Sequence, residues 1–154
     1  MAVLTIDIGS PRIEVIDYLK EPFNLRLWTV HRDLYCIKDK CYEAISIDGQ
    51  VQFAEIRCQI MPKHEGMHIV TFSWYRNGEI TKRFGFQVIE DSPAEITLKV
   101  DIPDTIPKER RNTMITVINI ELGILKQLLE NSAYTINEAD ASILQSYHEK
   151  LLFT

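Results

Sequence analysis

Four thiol and imidazole side chains lie in two pairs that superficially resemble zinc ligands, Cys36-x4-Cys41 and His64-x3-His68. Zinc prefers these donors, and the spacing within each pair is acceptable. The stretch between the pairs is longer than the roughly 12 to 15 residues typical of a zinc finger. Alternation along predicted strands also makes it hard for all four side chains to converge. We therefore expect buried thiols and surface histidines, and no metal or other cofactor.

Other catalytic patterns do not occur in the sequence, which lacks a nucleophile elbow, a phosphate-binding glycine loop and an HExxH helix. Acidic residues such as Asp17, Glu43 and Glu55 are isolated, and we expect them on the surface. The spacing of the acidic residues does not identify a pair of carboxylates that could act in general acid–base catalysis. The motifs therefore predict no catalytic residue, and function must be sought in what the structural elements enclose.

Length and composition indicate one globular domain spanning residues 1–154, with 45% hydrophobic and 25% charged residues. The net charge of −5 argues against nucleic acid or an anionic membrane as the main partner. No apolar run reaches the roughly 20 residues of a membrane span, and the first residues lack the basic and apolar regions of a signal peptide. With only three cysteines, we expect a cytoplasmic protein with reduced thiols.

The first 28 residues predict a strand followed by two short helices. Val3–Ile8 alternates apolar and polar residues, Ser10 is a candidate cap with Pro11 at the first helical position, and Arg12–Lys20 and Phe23–Trp28 follow as helices. In the following residues, apolar side chains recur at every second position. This alternation predicts six strands, at 33–38, 42–47, 51–60, 67–75, 80–89 and 95–101. Asp48-Gly49 and Asn77-Gly78 predict tight hairpins between consecutive antiparallel strands.

The stretch 107–130 predicts one long helix. Its apolar residues recur at steps of three and four and cover an arc wide enough for a helix held in a groove. Gly123 lies inside this helix, so we expect a close contact or a bend there. A last helix, 137–152, could cover a cavity, extend the core or bind a second subunit in a homodimer. The predicted class is α+β, with helices on one face of a curved antiparallel sheet.

This element order resembles the START-like helix-grip superfamily, also called SRPBCC, which includes polyketide cyclases and lipid-transfer domains. The resemblance covers about residues 3–131. Its local support is EPFNLRLWTVHRDLY, residues 21–35, with a proline and a tryptophan at Pro22 and Trp28. The resemblance implies an elongated apolar cavity between a seven-stranded sheet and the long helix. It also implies that Trp28 and His31 lie at the mouth of that cavity.

The hairpin at Asn77-Gly78 allows the cavity-facing residues to be predicted, since directly opposed residues share a face. With a two-residue loop, the more apolar face carries the odd-numbered residues of the first strand and the even-numbered residues of the second. A one-residue slip would reverse this assignment. Together with the long helix, the predicted ligand-binding residues are Trp28, His31, Ile69, Thr71, Ser73, Tyr75, Lys82, Phe84, Phe86, Ile118 and Leu122.

Three hypotheses for the function follow. The first is a non-catalytic protein that binds a small apolar ligand, either a lipid or a polycyclic metabolite. The second is a cyclase- or dehydratase-like enzyme in which His31, Tyr75 and Lys82 transfer protons or orient the substrate. The third is a protein-interaction module that uses the last helix or the outer sheet face, where Phe72 and Trp74 would form an exposed apolar patch.

Overall fold

The computed structural model of the chain describes residues 2–152, with side chains from 2 to 148. Its first elements are a strand, two short helices and an intervening 3-10 turn: β1 (Ala2–Ile8), α1 (Arg12–Leu19), the turn Pro22–Asn24 and α2 (Leu25–Trp28). Six strands follow: β2 (Leu34–Ile37), β3 (Lys40–Ile47), β4 (Gln50–His64), β5 (Met67–Arg76), β6 (Glu79–Ser92) and β7 (Glu95–Ile102). The last elements are α3 (Lys108–Glu130) and α4 (Glu138–Leu152).

All seven strands form one antiparallel sheet in the order β1-β7-β6-β5-β4-β3-β2. Consecutive strands are neighbours because short hairpins join them, while β1 pairs with β7 and so brings both ends of the core together. The long helix α3 packs against the curved sheet. This arrangement confirms the predicted α+β fold class, including the two short helices after β1 and the additional helix at the end.

The hairpin turns show the backbone conformation that their sequences require. Asn77 and Gly78 have φ values of 53° and 78°, and the turn at 48–49 is similar. Both central residues of a type I′ turn need positive φ, which asparagine, aspartate and glycine tolerate. Between β2 and β3, Lys38 and Asp39 also have positive φ, so this turn lies one residue earlier than expected.

A bulge in β6 decides which side chains face α3. At the turn, Tyr75 pairs with Ile80 as predicted, but the next pair is Trp74 with Lys82. Thr81 is therefore an additional residue in β6. Beyond it, even-numbered residues of β6 pair with even-numbered residues of β5, so a residue of β6 shares its face with the β5 residue next to the one predicted. The predicted inner face of β6 is confirmed beyond the bulge, at Lys82, Phe84, Phe86 and Val88. It is wrong at Ile80, which pairs with Tyr75 before the bulge and is exposed. The predicted inner face of β5 is wrong, because its buried inward residues are Val70, Phe72 and Trp74.

The inner faces of β3, β4 and β7 agree with the prediction. Ala54 and Ile56 of β4 are buried, as are Ile96, Leu98 and Val100 of β7. In β3, Ile45 and Ile47 lie on this same face, where they pair across the strands with Gln52 and Gln50 of β4. These residues and the buried side of α3 make one continuous core.

Helix α3 begins one residue after Pro107 and runs without interruption to Glu130. The expected close contact at Gly123 does not occur, since a Cβ atom there would meet nothing within 4 Å. Helix α4 packs on the body through the fully buried Leu144. Within residues 2–152, no helix combines the length and apolarity needed to cross a membrane.

Candidate functional site

A cavity of about 640 Å³ lies between α3 and the sheet. Its walls are largely apolar and include Ile45, Ile47, Phe84, Met114, Val117 and Ile118. Polar and charged side chains also line it, among them Thr29, His31, Lys82, Arg110 and Glu121. Mostly apolar walls with a few placed polar groups are typical of small-molecule sites.

The predicted ligand-binding residues fall into three groups in the structure. His31, Lys82, Phe84 and Ile118 line the cavity. Three others are packed beside it in the core: Trp28, Phe86 and Leu122, with Trp28 and Phe86 in edge-to-face contact. The remaining four lie on the other face of β5 as a consequence of the bulge: Ile69, Thr71, Ser73 and Tyr75. The Tyr75 ring lies under the Arg57 guanidinium, 4.2 Å from its centroid.

At the polar side of the cavity, three side chains form a hydrogen-bonded chain. Nζ of Lys82 lies 2.8 Å from Nε2 of His31, and Nδ1 of His31 lies 2.7 Å from Oε2 of Glu43. Glu43 is fully buried, at 0% exposure, on the inner face of β3. The three residues come from β6, from the loop after α2 and from β3. The sheet therefore holds two of them, and the loop brings His31 between the two.

Two further side chains fix Glu43. Nε1 of Trp74 donates to Oε1 at 3.1 Å, and Nε2 of His148 in α4 lies 3.4 Å from Oε2. The Trp74 ring also packs beside His31, with centroids 4.7 Å apart, and lies 5.0 Å from the Lys82 nitrogen. Both carboxylate oxygens thus have donors, which is the condition for keeping a charge in the interior.

The donors and acceptors assign the protons of this chain. A lysine ammonium only donates and a carboxylate only accepts. A neutral His31 with its proton on Nδ1 satisfies both, because it donates to Glu43 and accepts from Lys82. Burial and the Lys82 charge lower the pKa of His31 to about 4, which agrees with a neutral ring. Burial opposes ionisation of Glu43, but hydrogen bonds from His148 and His31 outweigh it and hold its pKa below the ordinary value.

Glu121 is a second buried acid, on the α3 side of the cavity. Its Oε2 accepts a hydrogen bond of 2.9 Å from the backbone N–H of Val30. Burial raises the pKa of Glu121 to about 7, so near neutral pH it exists in both protonation states. Burial also lowers the pKa of Lys82. The cavity therefore holds an acid and an amine that both titrate closer to neutrality than they do in water.

The donor atoms of His31, Glu43 and His148 lie within 4.8 Å of one another, a set that suits a divalent metal in type. The hydrogen bonds argue against that role. A metal on Nδ1 of His31 would place the ring proton on Nε2, facing the Lys82 ammonium at 2.8 Å. The described cysteines and the remaining histidines form no such group, and burial raises the pKa of the Cys41 thiol to about 12.

Sequence reasoning placed Glu43 and Trp74 wrongly. Glu43 was expected on the surface, but alternation from Ile45 and Ile47 puts it on the inner face, a signal that was available. Trp74 is buried by the β6 bulge, and so is Phe72. These two therefore do not form the exposed patch expected for an interaction module. Exposed apolar side chains lie elsewhere, for example Val51 and Phe53 of β4.

Comparison with known proteins bears on the fold. The sequence matches no protein-family model and no curated protein. Human StAR-related lipid transfer protein 5 superposes with a TM-score of 0.53 at 10% identity, over 84% of this chain and 75% of that one. The Aha1 dimer from Colwellia psychrerythraea gives 0.51 at 12% identity, over 87% and 100%. A conserved protein of unknown function from Enterococcus faecalis gives 0.51 at 16%, over 98% and 83%.

At such identities the similarity concerns the fold alone. In this chain that fold consists of a seven-stranded antiparallel sheet, short helices after the first strand and a long helix against the sheet. They match the resemblance that the element order suggested. The chain has the helix-grip fold of START-like proteins.

Proposed function

We propose that the protein binds a small, largely apolar molecule, such as a lipid or a polycyclic metabolite, in the cavity between α3 and the sheet. The observation that carries this proposal is the cavity itself. Its volume of about 640 Å³ falls inside the range of roughly 300 to 1,000 Å³ that is usual for ligand sites. The long helix and the sheet supply apolar walls, and polar groups such as His31, Lys82 and Glu121 also line the cavity.

A similarly folded neighbour supports the proposal by its name, since it is a StAR-related lipid transfer protein. Fold similarity does not carry function by itself, so the weight rests on the cavity. The chain of Lys82, His31 and Glu43 gives the cavity one polar end. The molecule we expect therefore has an apolar body and a polar group that contacts this end.

Native mass spectrometry of the purified protein tests the proposal. We expect a stoichiometric adduct, and denaturation followed by analysis of the released molecules would identify its chemical class. The same spectrum reports whether the protein is a monomer or the homodimer considered above. A bare protein that also fails to bind added long-chain alcohols and polycyclic aromatics would contradict the proposal.

The second candidate is a cyclase- or dehydratase-like enzyme acting in this cavity. The observation in its favour is that His31 and Lys82 converge at 2.8 Å on the cavity wall. Tyr75, the third predicted member, lies on the other face of β5 and is not part of it. An enzyme whose Lys82 is replaced by Met should retain its substrate, whereas the wild type should retain product or nothing. The same molecule released from both proteins would favour a carrier.

A further inference from the structure

Lys82 is partly buried, and its surroundings are unusual for a lysine. Within the described residues, no carboxylate oxygen lies within 4.0 Å of its nitrogen. Its contacts are instead the Nε2 atom of His31 at 2.8 Å and the face of the Trp74 ring. Buried lysines are normally paired with acids because an isolated charge is costly. Without a contacting carboxylate to stabilise its charge, a lysine that burial disfavours as an ammonium can pass a proton to the His31 acceptor and become a free amine, which is a nucleophile.

The contacts behind Lys82 have the arrangement of an activated nucleophile. A reactive group hydrogen-bonds to a base, and a third group orients the base. Here His31 is the base, and Glu43 orients it through a hydrogen bond of 2.7 Å. Trp74 holds Glu43 in turn. Because Lys82 and His31 both line the cavity, the nucleophile would meet whatever molecule the cavity binds.

We propose that Lys82 forms a Schiff base with an aldehyde or ketone group of the molecule bound in the cavity. The proposal rests on the proposed function, since the carbonyl compound must first enter the cavity. It adds the chemical class of that compound: an apolar molecule that carries a carbonyl group. His31 is then a catalytic proton carrier, and Glu43 is a positioning residue that acts through it.

The bond changes balance without a further reactant. Lys82 passes a proton to Nε2 of His31, and the imidazolium is stabilised by Glu43. The free amine adds to the carbonyl carbon, forming a C–N bond, and a proton moves from the nitrogen to the former carbonyl oxygen. His31 returns its proton to the hydroxyl, the C–O bond breaks and water leaves. One ammonium and one carbonyl give one protonated imine and one water.

The shifts of the titrating groups agree with this geometry. Burial lowers the pKa of Lys82, which increases the fraction of free amine near neutral pH. Burial also raises the pKa of Glu121, on the opposite wall, to about 7. When Glu121 is protonated, it no longer contributes the negative charge that raises the pKa of Lys82.

Borohydride trapping tests the proposal. The protein is incubated with decanal or 2-naphthaldehyde, two probes that represent a lipid and a polycyclic body, in the presence of sodium cyanoborohydride. The hydride converts an imine into a stable secondary amine, which peptide mass spectrometry locates. We expect one alkylation on Lys82, at least about tenfold faster than on the exposed Lys63, because an activated amine outcompetes solvated ones.

Matched variants distinguish the role of Lys82 as nucleophile from the role of His31 as base. Lys82→Arg keeps a donor for His31 but cannot form an imine, so the fast alkylation should disappear. Lys63→Arg should leave it unchanged. His31→Gln should slow trapping and move its rise to higher pH, because the base that accepts the lysine proton is lost. A purely structural loss would lower the rate without moving that profile.

Binding of the corresponding alcohols, 1-decanol and 2-naphthalenemethanol, is measured in parallel by quenching of tryptophan fluorescence, since Trp74 lines the cavity. If the alcohols bind but the aldehydes alkylate only exposed lysines, the Schiff-base proposal is overturned and the binding function stands. If neither alcohol binds, the proposed function itself fails, and this inference fails with it.

Discussion

Glu43 is a buried carboxylate that stays ionised because donors surround it. Trp74 donates to one oxygen, and His31 and His148 approach the other. The charge in turn selects the tautomer of His31 that presents a lone pair to Lys82. One acid in β3 thus determines the proton arrangement of the polar end of the cavity.

Replacing Glu43 by Gln should destabilise the protein by about 3 kcal/mol, because the amide turns a donor toward the donors that surround Glu43. Because the pKa of Glu43 lies below its ordinary 4.5, this contribution is present above pH 4.5 and is lost as the pH falls further. Urea unfolding at several pH values measures it. Glu55→Gln, which removes the partner of the half-exposed Arg57, is the control and should cost less than about 1 kcal/mol. Equal costs would refute the role of Glu43.

Glu121 should make the stability of the protein depend on pH in the direction opposite to that expected for Glu43. The folded protein keeps the proton of Glu121 up to about pH 7, whereas the unfolded chain loses it near 4.5. The folded state therefore binds more protons in this window, and stability falls as the pH rises through it. Glu121→Gln keeps an acceptor for Val30 but cannot titrate, so its stability relative to wild type should improve by up to about 3 kcal/mol from pH 4.5 to 7. A constant difference across the window would show that Glu121 does not titrate this way.

The sequence contains part of this information. Glu43 shares the parity of Ile45 and Ile47, and Glu121 falls midway between the buried Val117 and Leu125 at helical spacing. Both acids could have been placed inside by these patterns. His148 could not, because it reaches Glu43 across 105 residues of chain. Only the packing of α4 brings the two together.

Among the elements, the β5–β6 hairpin has a turn that the sequence pattern predicts and a bulge that the pattern does not predict. The turn at Asn77-Gly78 was predictable, since its residues suit positive φ. The additional residue at Thr81 was not, because the opposing strand β5 carries apolar residues on both faces, so its alternation does not reveal which face pairs with the apolar face of β6. One inserted residue therefore moved four predicted site residues to the other side of β5.

Gly123 and Gly78 make a matched pair of glycines. An added Cβ atom meets nothing within 4 Å at either position, but Gly78 has a φ of +78° and Gly123 lies within α3. Gly123→Ala should stabilise the protein by about 0.5 to 1 kcal/mol, through helix propensity. Gly78→Ala should destabilise it, because alanine does not adopt positive φ easily. Thermal unfolding measures both changes, and loss of stability in Gly123→Ala would reveal a constraint in α3.

The packing of α4 can be tested with two adjacent residues. Leu144 is fully buried, while Ile143 is 41% exposed. Leu144→Ala should cost about 2 to 4 kcal/mol, because it leaves a cavity under the helix. Ile143→Ala should cost less than about 0.5 kcal/mol. Chemical denaturation of both variants measures the difference, and similar small costs would mean that α4 is not part of the cooperative core.

At the scale of the whole molecule, the order and type of the elements were predictable from residue patterns, whereas the cavity was expected only from the resemblance to START-like proteins. Period-two strands, I′ turns and an apolar arc around a long helix specify a sheet that grips a helix. The volume left between them depends on side chains such as Phe84 and Met114, which wall the cavity without filling it. Packing of this kind is a property of the folded interior, and strand or helix periodicity does not encode it.

The most direct test of the account is whether this cavity takes up an apolar molecule. Fluorescence titration with N-phenyl-1-naphthylamine, a neutral apolar probe, measures it. We expect saturable binding at one site and weakening of at least about tenfold in Met114→Trp, which overfills the cavity. Asn119→Trp, on the exposed side of α3, should bind like wild type, with circular dichroism confirming that both variants fold. A wild type without saturable binding, or two variants that bind alike, would contradict a ligand site between α3 and the sheet.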